Sequence, residues 1–191
     1  MSVTLGQLME ERKDAIVERW EDAVLSAYPA DSAALFRAQR DPFANPLGHS
    51  VREGTRGVFQ AILDKVDPES LRGHLDGIVR IRAVQELSPS EALSFVFSLR
   101  AIIREVIPEA EAHHREGLEE LDRSIDEVAL TAFELYAARR DELSQLRINE
   151  VKRQVAWVFE KMRGREEEAG EMFEDSNQQT SASDNAQRED L

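Results

Sequence analysis

Apolar residues recur at helical spacing along most of this chain, and proline-containing corners punctuate the pattern. Leu8, Ala15, Ile16, Trp20, Ala23, Val24 and Ala27 predict an amphipathic first helix of about six or seven turns, opened by a Thr4–Gln7 capping box and ended before Pro29. Asp31 or Ser32 caps a short helix carrying Ala34, Leu35 and Ala38, which stops before Asp41-Pro42. Asn45-Pro46 opens the next helix, with the stripe Leu47, Val51, Val58, Ile62 and Val66. Gly54 and Gly57 lie inside it, each costing about 1 kcal/mol against alanine. They point either to close approach by a neighbouring helix or ligand, or to a weak helix.

Asp67-Pro68 repeats the cap-then-proline signature and launches a helix bearing Leu71, Leu75, Ile78, Val79 and Leu87. The sharpest corner follows, where Ser88, Pro89 and Glu91 supply an N-cap hydroxyl, a first-turn proline and the carboxylate of a capping box. The helix beyond it is apolar nearly all round, from Leu93 to Ile107, which predicts a central position. After Pro108 the stripe Leu121, Ile125, Val128, Ala132, Leu135 keeps heptad spacing. It is interrupted from Arg139 to Glu142 and resumes as Ile148, Val151, Val155, Val158, Met162. Neither proline nor glycine falls between Leu118 and Arg163. Either one helix of about 45 residues carries a partner-binding or dimerising coiled coil, or the helix breaks near Arg139. No segment combines β-branched alternation with turn signals, so the expected fold is all-α, a bundle of about six helices with a long C-terminal helix.

Charge changes the picture at the C-terminus. Residues 166–191 hold nine acidic residues and one arginine, more than half of the formal charge of −14. The expected organisation is a helical domain over 1–163 and a disordered acidic tail over 164–191. The acidic balance argues against a nucleic-acid partner and against anionic lipid. No run approaches the roughly 20 apolar residues of a membrane span, so no membrane insertion is expected and the protein reads as soluble and cytoplasmic. Cysteine is absent, which removes disulfides, thiolate metal sites and cysteine nucleophiles. No paired-carboxylate, Ser-His-Asp or Gly-rich phosphate motif stands at interpretable spacing, so no enzymatic activity is expected.

Arg82 and Gln85 fall on the apolar stripe of one helix, and Arg100 and Arg104 share a ridge with Leu93 and Phe97 on the next. If those faces converge, the four residues form a pocket for a small anionic ligand or a buried pair with an acid. If they do not, the guanidinium groups reach solvent along their aliphatic stems. Arg80 points the opposite way from Arg82 and is expected to pair with Asp76 one turn earlier. Among the histidines, His49 or His74 could be a haem ligand or an ordinary helix-surface residue. His113 shares a face with Glu109 and Glu116, which is either a metal site or a solvated acidic helix start.

The strings DPFANPLGHSVREG (41 to 54) and VRIRAVQELSPSEALSFVFSLRAIIRE (79 to 105), with the later Tyr136, Arg147, Asn149 and Glu150, resemble the amino-terminal domain of RsbRD-type RsbT co-antagonists. The resemblance covers roughly residues 5–163. It implies an all-helical, non-haem globin-like input module, usually dimeric and joined by its last helix to an output domain such as a STAS domain or a histidine kinase. It implies signal sensing in a bacterial stress response, without a cofactor. Here the last helix runs into the acidic tail. The expectation is therefore a free-standing regulatory module that acts by binding a ligand or a regulatory protein partner and by forming a homodimer. The alternative is a haem- or metal-binding gas or redox sensor.

Overall fold

The computed structural model describes residues 3–85 and 87–186, with side chains through Arg163 except that of Pro68. Among the described residues there are eight α-helices and no strand: α1 (Leu5–Glu11), α2 (Lys13–Leu25), α3 (Ala30–Ala38), α4 (Pro46–Asp64), α5 (Pro68–Val84), α6 (Pro89–Val106), α7 (Ala110–His113) and α8 (Arg115–Ala186). The chain forms two compact units, residues 1–142 and residues 143–191.

In the first unit the predicted caps at Thr4, Asn45, Asp67 and Ser88 form, but α3 starts at Ala30 behind Pro29, so that Asp31 and Ser32 lie inside its first turn and neither caps it. Thr4 and Ser88 each close a capping box, with Gln7 and Glu91 respectively. Asp67 accepts from the amides of Glu69 and Ser70 at 3.0 and 3.1 Å. Asn45 does more than cap α4. Its Oδ1 accepts from the Gly48 amide at 2.8 Å, while its Nδ2 donates to the carbonyls of Phe36 and Gln39 at 2.7 Å each. One buried amide thus satisfies the start of α4 and the end of α3, whose last carbonyls have no partner within the helix.

The expected first helix divides in two. Arg12 ends α1 and begins α2 with φ −109° and ψ 15°, outside helical geometry. Its guanidinium reaches across to the Val106 carbonyl at the end of α6 and to Glu109 Oε1. This division and the single turn α7 account for eight helices in place of about six.

The core is built from Ile16, Trp20 and Val24 of α2, Val58 and Phe59 of α4, Leu75, Ile78 and Val79 of α5, Phe95, Leu99 and Ile103 of α6, and Ile125 and Val128 of α8, all buried. Burial on this scale is the main favourable term for the bundle, at roughly 25 cal/mol per Å² of apolar surface removed from water. α6 is central as expected, except that Phe97 remains 49% exposed. Trp20 is fully buried and donates its indole N–H to the Phe95 carbonyl at 2.7 Å, which fastens α2 to α6.

The two α4 glycines mark a close helix crossing. A methyl at Gly54 would stand 2.7 Å from Ile78 Cγ1 and 2.9 Å from the His74 carbonyl oxygen, and one at Gly57 would overlap the His74 ring. The neighbouring helix, α5, is what the glycines accommodate.

α5 ends at Val84 with Gln85 as its C-cap, so Leu87 lies beyond the helix and not on its stripe. Asp76 pairs with Arg139 of α8 at 2.7 Å instead of with Arg80, which is exposed. The polar interruption at Arg139–Glu142 is therefore a clamp between α5 and α8, where Arg139 also meets Glu142 at 2.9 Å. The helix does not break there.

In the second unit, Ile148, Val151, Val155, Val158 and Met162 are exposed at alternating steps of three and four, with Leu146, Trp157 and Phe159 also exposed. The backbone is helical to Ala186, including most of the acidic segment expected as a disordered tail. The side chains from residue 164 and all of 187–191 lie outside the described residues.

Candidate functional site

Arg82 and the pair Arg100–Arg104 face different neighbours. Arg82 is 2% exposed and donates to the Val24 carbonyl at 2.6 Å and to the Glu91 carbonyl at 3.3 Å, with its guanidinium 5.2 Å from the centre of the Phe95 ring. Among the described residues no carboxylate pairs with it. Val24 lies in the last turn of α2, so the cation sits at the negative end of that helix's dipole. Burial depresses the Arg82 pKa, opposed by the neighbouring Tyr28. Gln85 Oε1 and Arg82 Nε are buried without a hydrogen-bond partner. Burial also pushes the Tyr28 hydroxyl up, against the opposing pull of Gln85 and Arg82. Arg82, Gln85 and Tyr28 therefore make a small polar cluster beneath the end of α2.

Arg100 and Arg104 turn to the start of α8. Arg100 donates to the Asp122 carbonyl at 2.9 Å and pairs with Asp122 and Asp126. Arg104 bridges Glu111 at 2.7 Å and Asp122 at 3.0 Å. Asp122 raises the Arg104 pKa most, with Glu111 adding to it. The four residues do not share one set of partners: Arg82 and Gln85 stay with α2, while the other two arginines lock α6 to α7 and α8.

The histidines are dispersed. His49 is half-buried on α4, His74 is exposed on α5 with its ring against Gly57, and His113 is exposed at the end of α7. Among the described residues no group of three His, Asp or Glu side chains is arranged to hold a metal ion.

Two features carried no signal along the sequence. The first is a cleft of about 400 Å³ between α2, α3 and α4. Four arginines line it (Arg37, Arg40, Arg52 and Arg56), opposite Asp14, Glu18, Glu21 and Asp22 of α2. Arg37 is paired with Asp22. Arg52 donates to the Phe36 and Gln39 carbonyls at 3.3 and 3.4 Å. Glu21 Oε1 is buried, accepts no hydrogen bond, and lies 3.8 Å from Arg56 Nε. Burial raises the Glu21 pKa, against the opposing pull of Arg56, Arg52 and Arg40.

The second is an apolar groove of about 690 Å³ between the start of α6 and α8, lined by Leu93, Phe97, Ala129, Leu130 and Phe133. Leu130 and Phe133 are 67% and 55% exposed. Single exposed apolar residues are common; here Phe97, Leu130 and Phe133 stand together in one groove.

The architecture is that of an all-α bundle with a long C-terminal helix. The family model of the RsbT co-antagonist protein RsbRD N-terminal domain matches residues 14–151, and the chain belongs to this family. The family is one of regulatory stress-signalling modules and is not a known enzyme family. No curated protein and no solved structure matches the chain. Among the described residues no helix is long and apolar enough to cross a membrane.

Proposed function

We propose that the protein is a signal-sensing regulatory module that works by binding, with two copies associating through the α6–α8 groove and the apolar stripe of the second unit. The observation that carries this reading is the cluster Phe97, Leu130 and Phe133, three large apolar side chains left about half exposed or more on one face. The stripe from Ile148 to Met162 adds to it, since its exposed apolar residues alternate at steps of three and four, the spacing of a coiled-coil seam. A ligand or protein partner acts by favouring one association state over another, which requires it to bind the two states unequally. The globin-like arrangement of the family and a cytoplasmic location belong to the same reading.

Light scattering on the purified chain, at micromolar concentration and tenfold above it, tests the association. A dimer is expected, converted to monomer by Leu130→Asp with Phe133→Asp, or weakened at least tenfold by Val155→Asp. A wild-type monomer at both concentrations would remove association from the reading.

A further inference from the structure

The α2–α3–α4 cleft differs from the other ion pairs of the bundle in how little of its charge is used. Arg40 makes no hydrogen bond and no ion pair among the described residues, although it is close enough to Glu21 to act on it. Arg56 reaches Glu21 only at 3.8 Å, well beyond hydrogen-bond contact. On the opposite wall the buried oxygen of Glu21 accepts from nothing. A buried carboxylate oxygen left without a donor is costly, and native structures rarely leave one so. Two guanidinium groups with free donors and the Glu21 side chain, 17% exposed, thus line the same cleft. Its volume of about 400 Å³ lies in the usual range of roughly 300–1,000 Å³ for small-molecule sites.

The chemistry of the walls narrows the occupant. A plain anion would meet the arginines but also Asp14 and Glu18, which line the cleft and carry no tight partner of their own among the described residues. A plain cation would satisfy Glu21 and be repelled by the arginines. A molecule with both charges meets both needs, with its carboxylate between Arg40 and Arg56 and its ammonium against the exposed part of the Glu21 carboxylate. The cleft also has an apolar floor: Val17 and Leu25, both 3% exposed, line it beneath the charged rim. We infer that this cleft binds a free α-amino acid with a short aliphatic side chain, held at both ends by opposite charges and seated on Val17 and Leu25.

This inference rests on the reading of the protein as a sensing module and supplies the class of its ligand. Calorimetric titration of the full chain with L-valine, L-leucine and glycine tests it, alongside isovalerate and isoamylamine, which keep the aliphatic group and only one of the two charges. The expected result is saturable binding of valine or leucine, with glycine and both single-charge probes at least tenfold weaker. Glu21→Gln and Arg40→Ala are each expected to weaken binding at least tenfold. Arg19→Ala, outside the cleft, is expected to leave binding unchanged. Arg40 is exposed, so its variant keeps the core, and an unaltered circular-dichroism spectrum checks this. Isovalerate binding as well as leucine would make the site an anion site and overturn the inference. So would an absence of heat with every amino acid, or binding that survives both cleft variants. A chain that dimerises without binding any of them overturns this inference alone, whereas one that binds leucine and stays monomeric overturns the association alone.

Discussion

The Arg82 guanidinium donates to the Val24 carbonyl at 2.6 Å from a position only 2% exposed. A long cation is here used as a bracket between main chains, since its second hydrogen bond goes to the Glu91 carbonyl. Because the partners are carbonyls and not a carboxylate, replacing the residue strands no opposite charge. Arg82→Met fills most of the space and is expected to cost about 1–3 kcal/mol, the worth of hydrogen bonds to a charged donor. Arg82→Ala also opens a cavity and is expected to cost about 3–5 kcal/mol. Urea unfolding of both variants measures the difference, and equal losses would mean that the hydrogen bonds contribute everything and the packing nothing.

Trp20 offers a second measure of how α2 is held to α6. Trp20→Phe removes the indole donor to the Phe95 carbonyl and part of the buried ring, for an expected loss of about 1–3 kcal/mol. The same site is visible spectroscopically. Trp20 is fully buried and Trp157 is 60% exposed, so a Trp157→Phe variant is expected to retain a blue-shifted emission that moves red on unfolding.

Two glycines should respond in opposite directions to the same substitution. Gly54→Ala places a methyl 2.7 Å from Ile78 Cγ1 and 2.9 Å from the His74 carbonyl oxygen. The overpacking, about 1–3 kcal/mol, outweighs a gain in helix propensity of about 1 kcal/mol, so the variant is expected to melt lower. Gly73 lies inside α5 with nothing within 4 Å of an added methyl. Gly73→Ala is expected to stabilise by about 0.5–1 kcal/mol. Thermal melts of the pair decide whether close approach or helix propensity governs each position.

Glu21 gives the cleft a signature in pH. Burial holds its carboxyl above the ordinary glutamate value, so between the two values the folded chain binds more protons at this site than the unfolded chain. Stability from this group is therefore greatest at low pH and falls as pH rises through that window. Asp67, whose carboxyl is lowered chiefly by the backbone and side-chain hydrogen bonds of Ser70, and Glu91, lowered chiefly by those of Ser88, work in the reverse sense. Their contribution is lost as pH falls through their depressed values. Denaturation midpoints of wild type and Glu21→Gln from pH 4 to 7 are expected to show a downward slope in the wild type relative to the variant. Parallel curves would show that the carboxylate is solvated.

The helix corners were legible because their determinants are local: Ser88 with Glu91, Asn45 with Pro46, and Asp67 with Pro68 each act within four residues. The glycines of α4 were legible as a need for proximity, although α5 as the neighbour was not. Long-range polar contacts were opaque for a definite reason. Asp76 has an eligible partner one turn away in Arg80 and a better one 63 residues on in Arg139, and only the packing of α5 on α8 decides between them. Arg82 found main-chain acceptors, which leave no trace in residue type. The cleft was hidden in the same way, because its arginines lie on α3, the loop after it and α4, while its acids lie on α2.

The crossing at Gly54 has a mechanical consequence. Where the Ile78 side chain and the His74 carbonyl nestle against the bare backbone of Gly54, no side chain of α4 stands between the helices, and sliding would drive them into that backbone. α4 and α5 should therefore move as a single lever, so that a displacement of Arg52 and Arg56 on one helix carries Arg82 on the other with it.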